Sequence, residues 1–198
     1  MTSKKGTGLM MVWTDIPADK EKEFNRWYNE EHLAVYELEN VAALETDAYK
    51  RVRANPTPWT KKFSPEVIGT NFIRNVYTLI HPKSVTPQVA DSPMAPALQL
   101  GRMDVPPEID ADFNTWYNTI YIPNYEKVPG VIRGRRFRAV TGTPTYLTFY
   151  EFQNPKVSET PAWLAQRDIA PETQRIRPHM RHAQGSPGVY VKTFELGA

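Results

Sequence analysis

The sequence predicts an α+β fold built from two β-α-β-β-α-β units in one chain. Three observations carry that reading. An aromatic motif recurs at a fixed spacing, short apolar strands alternate with amphipathic helical stretches in both copies, and a proline-rich stretch separates them. The repeat is direct. Trp13-Thr14-Asp15-Ile16-Pro17 aligns with Arg102-Met103-Asp104-Val105-Pro106, and Phe24-Asn25-Arg26-Trp27-Tyr28-Asn29 aligns with Phe113-Asn114-Thr115-Trp116-Tyr117-Asn118, both at a shift of 89 positions. Beyond Ala34 the shift becomes 114, because Tyr36-Glu37-Leu38-Glu39-Asn40 matches Tyr150-Glu151-Phe152-Gln153-Asn154. The first copy therefore lacks 25 residues between Ala34 and Val35 that the second copy has as Asn124–Thr148.

Each copy opens with a short apolar strand, Leu9–Trp13 and Leu98–Met103, followed by a proline turn. A helix follows, Asp19–Leu33 and Ile109–Tyr121, acidic in its first turn, where the helix dipole favours negative charge. Phe24, Trp27, Tyr28 and Glu31 recur at helical spacing, so the aromatics share one face. In the second copy Val131–Val140 and Thr145–Phe152 read as two strands around a Gly142-Thr143-Pro144 hairpin loop. The first copy keeps only the end of the second of these strands, which leaves an incomplete sheet and an open edge. Short helices over Glu45–Arg53 and Ser158–Arg167 precede closing strands at Asn71–Ile80 and Gly188–Leu196. The complete copy is a ferredoxin-like unit. The expected organisation is repeat 1 over 1–82, a proline-rich linker over 83–96 and repeat 2 over 97–198.

Composition narrows the function classes. With 24 Lys+Arg against 22 Asp+Glu the net charge is +2, which gives no basis for a nucleic-acid or membrane-surface partner. Zero cysteines exclude disulfide scaffolds, thiolate metal sites and cysteine nucleophiles. The apolar run Leu9–Trp13 is too short for a signal peptide or a membrane span, so a cytoplasmic, soluble protein is expected. No nucleotide-binding, serine-hydrolase or zinc-protease motif is present.

The segments Trp27-Tyr28-Asn29-Glu30-Glu31-His32-Leu33, Tyr36-Glu37-Leu38 and Asn55-Pro56-Thr57-Pro58-Trp59 resemble the dimeric α+β barrel superfamily, specifically its EthD-like branch of tandem-repeat proteins. The resemblance spans most of the chain. It implies that the two repeats form an intramolecular, pseudo-dimeric barrel. Its members usually follow the W-Y-x-x-x-H-x motif with a proline, where this chain has Ala34. The second copy has Pro123 but carries Tyr121 where the histidine would stand. The superfamily holds cofactor-free oxygenases, lactone isomerases, polyketide cyclases and haem enzymes, so the resemblance does not fix the chemistry.

Candidate chemistry follows from residue type. His32 can exchange protons near neutral pH, or it can simply satisfy the carbonyls of a helix end. Tyr28 and Tyr121 can orient or stabilise a developing anion, or be buried aromatics with tethered hydroxyls. Trp27, Trp116 and Tyr117 read as core that can also line a site for a flat ligand. Strand alternation puts Arg136 with Arg138 on one face, and Arg133 with Arg135 on the other. These arginines serve a solvated edge or pair with the acidic helices, or one, Arg136, reaches a substrate carboxylate. Asp15 and Asp104 read as turn formers. His179 and His182 share a face if their stretch is helical, and with His81 they are the candidates for a metal or haem ligand.

The expected function is a cofactor-independent enzyme that abstracts a proton from a compact aromatic, lactone or polyketide-like substrate. His32 would be the base, and no metal or cofactor is expected. The alternatives are a non-catalytic small-molecule-binding or assembly protein, with a homo-oligomer through the sheet edges, and a haem-using member of the same superfamily.

Overall fold

The computed structural model describes residues 5–28, 33–193 and 195, with the backbone alone for 23 and 25–28. Strands β1 (Gly8–Asp15) and β2 (Leu33–Leu38) flank helix α1 (Ala18–Tyr28). Helices α2 (Asp47–Ala54), α3 (Pro58–Phe63) and α4 (Pro65–Ile68) then lead into β3 (Thr70–His81). After the short helix α5 (Pro87–Ala90) comes β4 (Ala97–Asp104), followed by α6 (Asp110–Trp116), a π-helical turn at Tyr117–Tyr121 and α7 (Ile122–Tyr125). The chain continues through β5 (Val131–Thr141), β6 (Tyr146–Phe152), α8 (Pro161–Ala165) and α9 (Pro171–Ile176) to the short strands β7 (Arg181–His182) and β8 (Gly188–Val191).

The strands form one antiparallel sheet in the order β2-β1-β3-β5-β6-β4-β7, with β8 also on β4. From β4 onward the order follows the β-α-β-β-α-β pattern read from the sequence. Among the described residues β2 pairs with β1 alone. The sheet curls until its ends meet. Trp13 Nε1–H on β1 donates to the Tyr190 hydroxyl on β8 at 3.2 Å, and the Arg102 guanidinium on β4 lies 4.5 Å over the Trp13 ring. The enclosed face holds Leu9, Met11, Tyr77, Leu100, Phe137 and Phe149. The outer face of the second half is covered by α6–α9, over Phe113, Trp116, Tyr117, Tyr125, Tyr150 and Trp163.

The sequence reading is adjusted in several places. The described part of the first helix is Ala18–Tyr28, and Leu33, expected to end it, instead begins β2 opposite Trp13. Burial against β1 outweighs a helical place for Leu33, and β2 runs unbroken across the Ala34–Val35 junction. The helix expected over Glu45–Arg53 begins at Asp47, because Thr46 caps it by accepting from the Tyr49 N–H at 3.3 Å. The helix expected to stop at Tyr121 continues to Tyr125. Pro123 would drive its ring into the preceding turn of a regular α-helix. The helix instead widens there, and the Ile122 N–H bonds back to the Tyr117 carbonyl, five residues earlier. The closing strand is Gly188–Val191 rather than Gly188–Leu196. At the β5–β6 loop, Gly142 has a φ of 91°, and a Cβ there would meet Asn75 Oδ1 at 2.1 Å, so glycine is required.

Inside the curl lies a buried charge network. Arg135 on β5 donates to both oxygens of Glu37 on β2, at 3.1 and 2.5 Å, and its Nη2 is 3.0 Å from Glu151 Oε1 on β6. Arg133 Nε is 3.4 Å from the same Glu151 oxygen. The sequence reading gives these arginines a solvated edge or pairing with the acidic helices. Their acidic partners stand on strands instead, because inward alternation aims Arg133 and Arg135 into the barrel. Lys5 is buried nearby and donates to the Ser92 and Pro93 carbonyls, and burial pushes its ammonium pKa down.

Removing one partner of a buried pair strands the other charge. Glu37→Gln is expected to lower unfolding stability in urea by about 3–5 kcal/mol. Asp112→Asn, at the half-exposed Arg175–Asp112 pair, is expected to cost under about 1 kcal/mol.

Candidate functional site

On the outer face of β5, Arg136 points away from the barrel toward the α6–α7 helix. It is 0% exposed. Its Nη1 donates to Asn118 Oδ1 at 2.7 Å and its Nη2 to Asn114 Oδ1 at 3.0 Å. Three rings surround the guanidinium, with centroids at 4.4 Å (Tyr117), 4.9 Å (Phe113) and 5.4 Å (Tyr146). Nε has no hydrogen-bond partner, and no ion pair among the described residues involves Arg136. Its only direct acceptors are therefore two neutral amide oxygens. Burial pulls its pKa down to about 10, so the group is still charged at neutral pH.

The nearest acid on the helix is already engaged. Asp110 accepts from the Tyr146 hydroxyl, which in turn accepts from Asn114 Nδ2 at 2.9 Å. Asn114 thus faces the strand at both ends of its amide, which fixes its oxygen on Arg136. Asn114 and Asn118 are four residues apart, one helical turn, so a single helix face presents both oxygens to the arginine. Both asparagines are partly exposed, which leaves Arg136 only one side chain below the surface.

The expected site residues of the second half come together here. Trp116, Tyr117 and Tyr121 are buried in one aromatic cluster. Tyr121 packs on Trp116 with 4.4 Å between centroids and on Tyr117 with 4.8 Å. The Tyr121 and Tyr125 hydroxyls are 3.2 Å apart. Burial holds the phenols of Tyr117 and Tyr121 well above the ordinary tyrosine pKa, so both are hydrogen-bond donors and neither is a base at neutral pH. Tyr150 is buried beside them, and its hydroxyl has no partner. Trp116 Nε1–H is bound to Thr173 Oγ1 at 3.1 Å, which makes this tryptophan a wall. His32 lies outside the described residues, as do the side chains of Trp27 and Tyr28.

Other candidates resolve structurally. Asp104 accepts from the Thr145 N–H at 2.7 Å, and Asp15 accepts from Asn71 Nδ2 at 2.8 Å, so both tie loops. Trp163 is core, whereas Trp59 is 48% exposed. His179 ends a 3-10 turn and His182 stands in β7, so they do not share a helical face. No group of three metal-ligating side chains occurs among the described residues. A haem does not fit between this helix and sheet. The rings of Trp116, Tyr121, Tyr125 and Trp163 already fill the layer, with successive centroids 4.4, 4.7 and 4.2 Å apart. The sequence reading missed the two asparagines. Their only sequence signal was the helical spacing of Asn114 and Asn118 opposite an outward-facing Arg136.

No protein-family model matches the chain, nor does any curated protein sequence. Solved structures do. A monooxygenase-like protein from Fusobacterium nucleatum subsp. nucleatum aligns over 93% of this chain and 90% of its own, with 10% identity and a TM-score of 0.52. An anthrone oxidase-like protein aligns over 92% and 95%, with 14% identity and a TM-score of 0.53. A chlorite dismutase-like protein aligns over 90% and 91%, with 11% identity and a TM-score of 0.51. The likeness shows that this chain shares the overall fold of these structures. No helix among the described residues is long and apolar enough to cross a membrane.

The buried phenols make a pH prediction. In an alkaline titration followed by ultraviolet absorbance, Tyr117 and Tyr121 are expected to stay un-ionised at pH values well above the ordinary tyrosine pKa. Because the unfolded chain releases these protons near pH ~10 and the folded chain keeps them, stability is expected to fall as pH rises above that value. Release of every phenolic proton near pH ~10 with the fold intact would contradict this.

Proposed function

We propose that this chain is a cofactor-independent small-molecule enzyme that binds a compact, planar acid or enolisable carbonyl compound at Arg136 and transfers a proton from it. The observation that carries this reading is Arg136 itself, a buried cation with aromatic walls, two exchangeable neutral acceptors and no direct ion pair among the described residues, Asp110 acting on it only at longer range. Burying a guanidinium in this way is costly, and an anionic ligand offsets that cost. A carboxylate, phenolate or enolate can replace the amide oxygens of Asn114 and Asn118, while flat rings such as Tyr117 and Phe113 favour a flat ligand. Tyr121, kept protonated, supplies a donor for a developing oxyanion. Isomerisation, cyclisation, decarboxylation and oxygenation all share that first proton transfer.

Within this reading the chain is an EthD-like tandem repeat, with units at 1–82 and 97–198 joined by 83–96, acting in the cytoplasm. His32 remains the candidate base of the first unit and Tyr28 a candidate for orienting the anion. The likeness to monooxygenase-like and anthrone oxidase-like structures supports a small-molecule enzyme without selecting its reaction.

The test is a panel of aromatic acids, small lactones and β-dicarbonyl compounds, scored first for binding by tryptophan fluorescence and then for turnover. Arg136→Gln is expected to weaken binding of the aromatic acids about 10- to 100-fold, the range of a lost charged hydrogen bond. Tyr121→Phe is expected to lower kcat about 10²- to 10³-fold with little change in binding. Unchanged binding in Arg136→Gln would remove the site. Turnover unchanged in His32→Ala would remove His32 from the mechanism. Saturable binding by the wild-type protein with no turnover of any bound compound would favour the non-catalytic alternative.

A further inference from the structure

The Arg136 site as described has donors, a cation and one carboxylate, Asp110, which the Tyr146 hydroxyl already engages. Tyr121 occupies the place that His32 holds in the first repeat, and its phenol is held protonated by burial. The register of the sheet brings an imidazole to this face. His81, the last residue of β3, stands directly across the β3–β5 ladder from Arg136. Directly opposed residues of an antiparallel pair project from the same face, about 4.5–5.5 Å apart. The register between Leu79 and His81 shifts by one residue, so Ile80 and His81 together oppose Arg136. A bulge of this kind re-aims the side chain that follows it. Leu79 packs inside the barrel and Ile80 on the outer aromatic cluster, as alternation requires, and the extra residue then leaves His81 opposite outward-facing Arg136 instead of returning it to the inner face.

We propose that His81 is the proton acceptor of the Arg136 site. This inference rests on the reading of Arg136 as the place where the substrate anion is held. In the step, an O–H or activated C–H bond of the bound molecule breaks, and its electron pair stays on the ligand as an oxyanion held by Arg136. The proton forms an N–H bond on the His81 imidazole. No oxidant or second reactant is needed.

The surroundings suit that role. His81 is partly exposed, so it can return its proton to water, whereas Arg136 is fully buried. The charged groups that act on it are Arg136 from β5 and Glu126 from the turn after α7. Glu126 is anchored by accepting the Gly134 N–H at 2.8 Å. Burial first, and then Arg136, lower the imidazole pKa, while Glu126 opposes them, so His81 is unprotonated at neutral pH and ready to accept. An anion on Arg136 cancels the neighbouring positive charge and raises the basicity of His81 at the moment the proton arrives. The two residues therefore form a coupled pair. The arginine suppresses the proton on His81 when the site is empty and permits it when an anion is bound.

The experiment uses 4-nitrophenol, a flat phenol whose anion is yellow. In weakly buffered solution containing a pH indicator, the full-length protein is mixed with the probe below the probe's own pKa. The bound probe is expected to turn yellow with little proton release, because the proton moves to His81. In His81→Asn the probe is expected to bind, but each ionised molecule should release about one proton to solvent. On the unsubstituted protein, the His81 imidazole resonance is expected to shift to its protonated position as the probe saturates, a readout that does not depend on the variant folding. Equal proton release by wild type and His81→Asn, or a His81 resonance that ignores the bound anion, overturns the role of His81 and leaves the Arg136 site standing. Absence of saturable probe binding to the wild type, or binding unchanged in Arg136→Gln, overturns the site and this inference with it.

Discussion

Two consecutive guanidinium groups on β5, both removed from water, set the terms for the rest of the structure. A buried charge has to be matched or it drives the chain toward unfolding. Strand alternation sends Arg135 inward and Arg136 outward, and the two are handled differently. Arg135 meets Glu37 and Glu151 and becomes the clasp that joins β2, β5 and β6 inside the barrel. Arg136 meets asparagine oxygens and aromatic faces. One arginine is satisfied by the fold, and the other keeps its charge for a ligand.

The clasp matters more here because of the open edge. With β2 paired on one side alone among the described residues, the edge strand is held by β1 and by the Glu37 carboxylate reaching across the barrel to Arg135. The Trp13–Tyr190 hydrogen bond and the stacking of Arg102 on Trp13 hold the opposite ends of the curled sheet together. Outside the sheet, the π-helical turn before Pro123 lets one helix carry Asn114, Asn118, Trp116, Tyr117 and Tyr121 over β5 without breaking at the proline.

Much of this was legible in the sequence. The strands of the second half followed from β-branched and aromatic runs, and the alternation of Arg133, Arg135, Arg136 and Arg138 gave their faces directly. The grouping of Trp116, Tyr117 and Tyr121 followed from their place on one helix. What escaped the sequence was long-range. Nothing local says that Glu37 and Glu151 converge on Arg135, since 98 residues separate Glu37 from Arg135. Leu33 reads as the end of a helix from the sequence and begins a strand through burial against β1. From the sequence His81 reads only as a candidate metal or haem ligand, because its place opposite Arg136 depends on a one-residue shift in strand register that no sequence pattern announces.

The central claim is that Arg136 is kept at the expense of stability, for a ligand rather than for the fold. The most direct measurement is the urea unfolding free energy of Arg136→Met beside that of Arg135→Met. Replacing an unmatched buried cation with an apolar side chain of similar length should leave stability unchanged or raise it, with Asn114 and Asn118 returning to water, while Arg135→Met should lose about 3–5 kcal/mol by stranding two carboxylates. A comparable loss in both variants would mean that Arg136 is a structural element of the fold, and the account given for its site would be wrong.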